Sequence, residues 1–248
     1  MKLVSFDGTE QAEVDESRPS RYSSLKSFLA VSGAVPRGAG LSYCGAALSA
    51  HVVSSVHFDR ILSFNEASGL LTVEPGITLG KIFDFSAPKG WHLSVMPGHP
   101  AITVGGCVGA NVHGKNQHAE GCFAAVVEEL TLYHPERGET KHAKGSETFA
   151  LTLGGFGLTG FVTAVTLRLK KIPSEAFLLT RIPVGGYEEA VAVMRAHETA
   201  SSLYSWHQPC GRGFVSRRSP CRAVPRRVPH GGRWIRKAAP RAPRCLTA

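Results

Sequence analysis

Apolar and polar positions alternate most strictly in FVTAVTLRLKKI, residues 161–172. Val165, Leu167 and Leu169 fall on one side and Thr166, Arg168 and Lys170 on the other, which predicts a half-buried β-strand. Shorter strands are predicted in pairs. RILSF and LLTVEPG flank the turn residues Asn65 to Gly69, and ELTLY and ETKHA flank Pro135 to Gly138, so each pair predicts a hairpin. A helical period stands out in RYSSLKSFLA, where Tyr22, Leu25, Phe28 and Leu29 share a face. Thr78 is placed to cap a second short helix with Leu79, Ile82 and Phe83 on one side. Trp91 and His92 read as strand or turn residues. AVPRGAGLSY reads as a strand end running into a glycine loop. The class is α+β, with no internal repeat. After Pro173 a new strand-and-helix pattern begins, FLLTRIPV and then YEEAVAVMRAHE, and it stops near Trp206.

Length and composition add limits. A chain of 248 residues can bury the core of one or two domains. No run of about 18 apolar residues is present, so no membrane-spanning helix is expected. MKLVSFDGTEQAEVDE turns acidic before a signal-peptide core can form, which favours the cytoplasm, with peripheral membrane association left open. The net charge of +9 is unevenly placed. Residues 1–206 hold 17 basic and 19 acidic side chains; residues 207–248 hold 11 basic and no acidic ones. That last segment carries ten Arg, six Pro and three Cys without helical or strand period. A basic interaction arm, a disordered linker and out-of-frame translation of a GC-rich gene compete for it, and the composition favours the third. On that reading the charge says nothing of partners, and nucleic acid is not expected. Cys44, Cys107 and Cys122 are widely spaced and form no metal signature; they read as reduced thiols. His118 follows His113 by five positions without further ligands, so no metal site is expected.

Glycine is concentrated in RGAGLSY (37–43), in PGHPAITVGGCVGANVHGKN (97–116) and in GGFGLTG (154–160). Dense glycine marks left-handed turns or close approach of backbone to a ligand, and successive N–H groups in such turns bind anions. GANVHGKN has the Gly-x4-Gly-Lys spacing of a triphosphate loop, but Asn116 stands where a magnesium-binding hydroxyl is required, and no periodic helix follows. A plain structural turn is the competing reading. RGAGLSY is not a dinucleotide fingerprint, because Tyr43 occupies the third glycine position.

Taken together, RGAGLSYCG, PGHPAITVGGCVGANVHGKNQH and GGFGLTG resemble the FAD-binding (PCMH-type) domain of the vanillyl-alcohol-oxidase type flavoproteins, in order and spacing over roughly residues 15–172. The likeness is to the decaprenylphosphoryl-ribose oxidase and sugar-lactone oxidase branches, with motifs RGxGxSYGD, PGTxxVTVGGAIAxDVHGKNHH and GGxGLTG. The resemblance implies a PCMH-type fold of two α/β subdomains over residues 1–173, the start of a substrate-binding cap over 174–206, and the basic tail over 207–248. It implies that FAD is held by Arg37, Gly38, Ala39, Gly40, Leu41, Ser42 and Tyr43, and by Gly98, Thr103, Val104, Gly105, Gly106, Ala110, Asn111 and His113. Backbone near Phe161 or Val162 would meet the adenine. Leu41 stands where some relatives carry a flavin-linking His, which implies non-covalent FAD. Tyr43, His113 and Lys115 match positions near the reacting face, where a CH–OH group of a sugar-derived or lipid-linked substrate would be oxidised by hydride transfer to flavin. Each has a plainer reading: a packing aromatic, a loop histidine and a solvated lysine. Cys44-Gly45 replaces the motif's Gly-Asp, and Asn111 replaces an Asp, so two carboxylates are missing from the flavin loops. A sugar-1,4-lactone oxidase is the alternative activity. A truncated, non-catalytic remnant and a basic-tail binding protein are alternatives of another class.

Overall fold

The computed structural model describes residues 1–20, 22–31, 33–95, 97–172 and 182–198. The basic segment 207–248 and the predicted strand FLLTRIPV up to residue 181 lie outside them.

The chain opens with an antiparallel hairpin, β1 (Lys2–Val4) and β2 (Gln11–Glu13). β3 (Asp15–Ser17), helix α1 (Tyr22–Leu29), β4 (Ala34–Arg37) and β5 (His51–Ser54) follow. β3 and β4 both pair parallel with β5, giving the order β3-β5-β4. α1 connects two parallel strands, and its predicted apolar face is the one that packs. Leu25 is fully buried against Val53, Phe58 and Phe161, with Tyr22, Phe28 and Leu29 around it.

The larger layer is an antiparallel sheet built from β6 (Ile61–Asn65), β7 (Leu70–Val73), β9 (Val127–His134), β10 (Gly138–Ala143) and β11 (Phe161–Arg168), in the order β10-β9-β11-β7-β6. Between β7 and β9 lie α2 (Leu79–Ser86), β8 (Trp91–His92), α3 (Val104–Gly109) and α4 (Gln117–Glu120). α5 (Glu147–Thr152) precedes β11, which is followed by β12 (Lys170–Lys171) and α6 (Tyr187–Ala196). β12 pairs with β8.

Both predicted hairpins form. In the first turn the Asn65 side-chain oxygen accepts from the amides of Ala67 and Ser68, both at 3.1 Å. Gly69 then takes φ +72° under the Trp91 ring, where a Cβ has no room. β11 buries Phe161, Thr163, Val165 and Leu167 on alternate positions, as its pattern predicts. α2 is capped by Thr78, whose hydroxyl accepts from the Lys81 amide. Its buried stripe differs from the expected one. Leu79, Ile82 and Phe85 join the core, and Phe83 does not. Phe85 meets Phe64 edge-on at 5.5 Å, and that aromatic contact sets the helix rotation that the 79-82-83 spacing left open.

A polar staple joins the two layers. Glu74, fully buried after β7, accepts from Tyr22 Oη (2.6 Å), the Arg60 amide (2.8 Å) and Arg60 Nη2 (2.8 Å). Tyr22 Oη lies also 3.3 Å from the Thr163 carbonyl oxygen on β11. A buried carboxylate is tolerated only when charge and lone pairs are met this way.

Candidate functional site

The three glycine loops predicted from sequence converge on α3. The first leaves β4 at Arg37. A Cβ on Gly38 would overlap the hydroxyl of Thr103, so the loop backbone lies directly on the N-cap of α3. Gly40 turns at φ +71° over the Arg37 guanidinium, which has folded beneath its own loop and donates to the Ala47 carbonyl at 3.1 Å. Burial pulls the Arg37 guanidinium below its usual value, and the Glu16 charge opposes that pull.

The third loop closes on the other end of the helix. Gly154 N donates to Val108 O at 3.0 Å and Phe156 N to Gly109 O at 2.9 Å. Gly157, at φ +85°, sits against Pro36, whose ring carbons would be 2.9 Å from a Cβ. Phe156 holds φ +50° and stays exposed, an uncommon backbone state for an aromatic residue. Pro36 thus ties the third loop to the strand that launches the first.

The amides of these loops are not equivalent. At the start of α3, Val104 N donates to Ile77 O (2.9 Å), Gly105 N to Pro75 O (2.7 Å) and Gly106 N to the Thr103 hydroxyl (3.3 Å). Thr103 and Val104 are buried. These four residues shape the floor, and the helix start holds no spare donor among those three. The amides of Ala39, Gly40, Leu41 and Ser42 donate to no group among the described residues. With a left-handed residue in their midst they form an open row of donors, the backbone concavity that takes an anion. Gly98 has open space around its α-carbon, and Ala110 is exposed at the far end of α3.

Asn111 takes φ +42°, and its side-chain oxygen accepts from the Ala124 amide at 2.9 Å. A short amide side chain tolerates this backbone state. His113 pairs across to Cys122, and its Nδ1 lies 3.2 Å from the Gly114 carbonyl oxygen. A carbonyl only accepts, so Nδ1 is the donor in this contact. His113, Gly114, Lys115, Gln117 and His118 line an open surface hollow. Tyr43 is not among its lining residues. It is 72% exposed on the first loop and meets Phe6 edge-on at 5.4 Å. Phe161 is a core residue of the smaller cluster, and Val162 beside it is half-buried.

Several anchoring residues escaped the sequence reading. Asn116 is buried and donates to the Ser94 carbonyl oxygen, so the residue in the hydroxyl position of the triphosphate pattern faces protein rather than metal. Glu120 on α4 is paired with Lys170 at 2.6 Å, and that lysine holds its carboxyl below the usual range. Nearby, burial lowers His92. On the first loop the Ser42 hydroxyl and the Ala46 amide hold the exposed Cys44 thiol below its usual value. Gly-Lys-Asn spacing gave a partial signal for Asn116; nothing in the local sequence marks the Glu120–Lys170 pair.

Comparison with known proteins matches this arrangement. Residues 33–144 match the model of an FAD binding domain. Decaprenylphosphoryl-beta-D-ribose oxidase of Mycolicibacterium smegmatis is 30% identical over 201 residues, 75% of this chain and 44% of the relative. D-lactate dehydrogenase of Anaerostipes hadrus is 25% identical over 64% of this chain and 35% of its own. Alkyldihydroxyacetonephosphate synthase superposes with a TM-score of 0.57 at 16% identity, over 64% of this chain and 32% of that one, which shows the shared fold. The chain spans less than half the length of these relatives. With its three loops gathered around α3 and its match over residues 33–144, the chain carries an FAD binding domain.

Proposed function

We propose that this chain binds FAD non-covalently through the first loop and α3, and forms the flavin-binding part of an oxidoreductase acting on a CH–OH group of a sugar or sugar-derived substrate. The observation that carries the reading is the row of amides from Ala39 to Ser42, which donate to no group among the described residues, beside glycines whose Cβ positions are filled by Thr103 and Arg37. Such a row suits a pyrophosphate. Gly38, Gly40 and Gly105 let the loops pack this closely, since their Cβ positions are taken by Thr103, Arg37 and Pro75. Leu41, in the middle of the row, has no nucleophile to link to the ring.

When bound, the flavin supplies the two-electron acceptor for the hydride that leaves the alcohol carbon. The hydroxyl proton needs a base as the C=O forms. This role falls to His113, whose Nδ1 lies 3.2 Å from the Gly114 carbonyl oxygen, leaving Nε2 to meet the substrate. Lys115 shares its hollow and offers a positive charge to an anionic group on the substrate, such as a phosphate or carboxylate. Tyr43 extends from the first loop as an aromatic wall. The sugar class and a lipid-linked carrier are supported by the ribose oxidase relative. No described helix is long and apolar enough to cross a membrane, and the site of action proposed is the cytoplasm.

The test is an absorption spectrum of the purified chain incubated with FAD and then desalted. Retained bands at roughly 370 and 450 nm are expected. Anaerobic addition of ribose-based, lactone-precursor and 2-hydroxy-acid alcohols then reads which one bleaches the longer band. A colourless chain after saturating FAD would overturn the proposal, and bleaching by a 2-hydroxy acid alone would overturn its sugar part.

A further inference from the structure

We propose that the β9–β10 hairpin, α5 and the third loop form a second binding site, one for a small organic anion with a short apolar body. Together they line an open cavity of about 300 Å³. In the hairpin Leu132 pairs with Thr140 and Leu130 with His142, so Leu132 and His134 share a face with Thr140 and His142. α5 adds Thr148 and Leu151, three positions apart on one side of the helix, and the third loop adds Leu158 and Thr159. None of these residues belongs to the amide row of the first loop or to the hollow at His113.

The polar part of the lining favours an anion. His134, Arg137 and His142 face the cavity, and no carboxylate stands among the described residues that line it. Arg137, in the hairpin turn, makes no ion pair among the described residues. His134 Nδ1 accepts from the Glu136 amide at 3.3 Å, which leaves Nε2 as the donor of that ring. A guanidinium fork with an imidazole N–H suits a carboxylate or phosphate oxygen pair. The apolar part favours a ligand with a body. Leu132 is buried, whereas Leu151 is 59% and Leu158 88% exposed. The turn itself holds Leu158 out: Gly157 (φ +85°) and Gly160 (φ +137°) flank it, and its amide donates to Gly155 O at 2.9 Å. Thr159 Oγ1, next in sequence, is tied to Thr152 Oγ1 at 2.9 Å. A bare inorganic anion would leave both leucines in water; a short alkyl or aryl group would cover them.

The experiment is a residue-resolved amide NMR titration of the full chain. Residue resolution is needed because the segment 207–248, with ten Arg, also attracts anions. The probes are hexanoate, hexyl phosphate, acetate and hexylammonium. Saturable shifts confined to residues 132–142 and 148–159 are expected with hexanoate or hexyl phosphate, at concentrations on the order of millimolar. The tighter of the two identifies the head group. Acetate should bind about tenfold more weakly than hexanoate, for want of the apolar chain, and hexylammonium should not bind. Arg137→Gln should weaken the better probe about fivefold, the upper range for an exposed ion pair, and Leu158→Ser about threefold. Both side chains are exposed, and an unchanged spectrum elsewhere shows that each variant folds. No localised shift at tens of millimolar, equal binding of acetate and hexanoate, or parent-like affinity in Arg137→Gln overturns the proposal. So does displacement of the probe by FAD, which would assign the cavity to the flavin.

Discussion

Glu74→Gln tests the staple that joins the two layers. The substitution keeps shape and the acceptor for Tyr22, but removes the charge and turns an amide NH2 toward the Arg60 donors. Glu74 is fully buried, whereas the Arg60 side chain is 67% exposed, so water softens the loss on one side only. Hydrogen bonds to a charged group are worth about 1.5–3 kcal/mol, and breaking a buried pair costs about 3–5 kcal/mol. An intermediate loss of about 3 kcal/mol is expected, or a fall of roughly 6–12 °C in melting temperature for a fold of this size. Burial raises the Glu74 carboxyl, but the Arg60 and Tyr22 hydrogen bonds and the Arg60 charge outweigh it and hold it below its ordinary 4.5. A carboxyl depressed in the folded state contributes stability that is present above its unfolded value and lost as pH falls through the folded one. Urea unfolding of parent and variant should therefore differ fully at pH 7 and converge in acid below pH 4.5. A gap under about 0.5 kcal/mol at pH 7, within the range of ordinary surface substitutions, would refute the staple. So would a gap that stays constant into acid.

Gly157→Ala places a Cβ at φ +85° against Pro36, and should cost about 1–2 kcal/mol and weaken FAD retention measured by desalting. Acid precipitation of the flavin-loaded chain should release all colour into the supernatant; colour in the pellet would contradict the role given to Leu41. Among the described cysteines, iodoacetamide at mildly alkaline pH should label Cys44 first by mass spectrometry, since its thiol is exposed and lowered by Ser42, while burial pushes Cys107 up and shields it until unfolding. Ser42→Ala should slow labelling at Cys44 and leave Cys107 unchanged.

What the sequence made legible follows the range of the forces involved. Turn chemistry at Asn65 and Gly138, the cap at Thr78 and the alternation of β11 depend on neighbours within a few positions, and all are seen in the fold. The glycine loops were visible because left-handed turns leave few alternatives to glycine. Phe83 and Phe85 were indistinguishable by spacing, and only Phe64, from another strand, chooses between them. The same holds for the site. Val104 to Gly106 resemble a donor cradle in sequence, yet their amides are taken up by Ile77, Pro75 and the Thr103 side chain, partners no local pattern announces.

One strand belongs to both hydrophobic clusters. β11 gives Phe161 to the cluster under α1 and Val165 and Leu167 to the core of the large sheet. A shared strand leaves no hinge between the layers, so neither can melt while the other stands, and calorimetry of the folded part should show one transition. Entry and exit of a nucleotide along this seam then fall to the loops themselves, where Phe156 and Tyr43 are exposed.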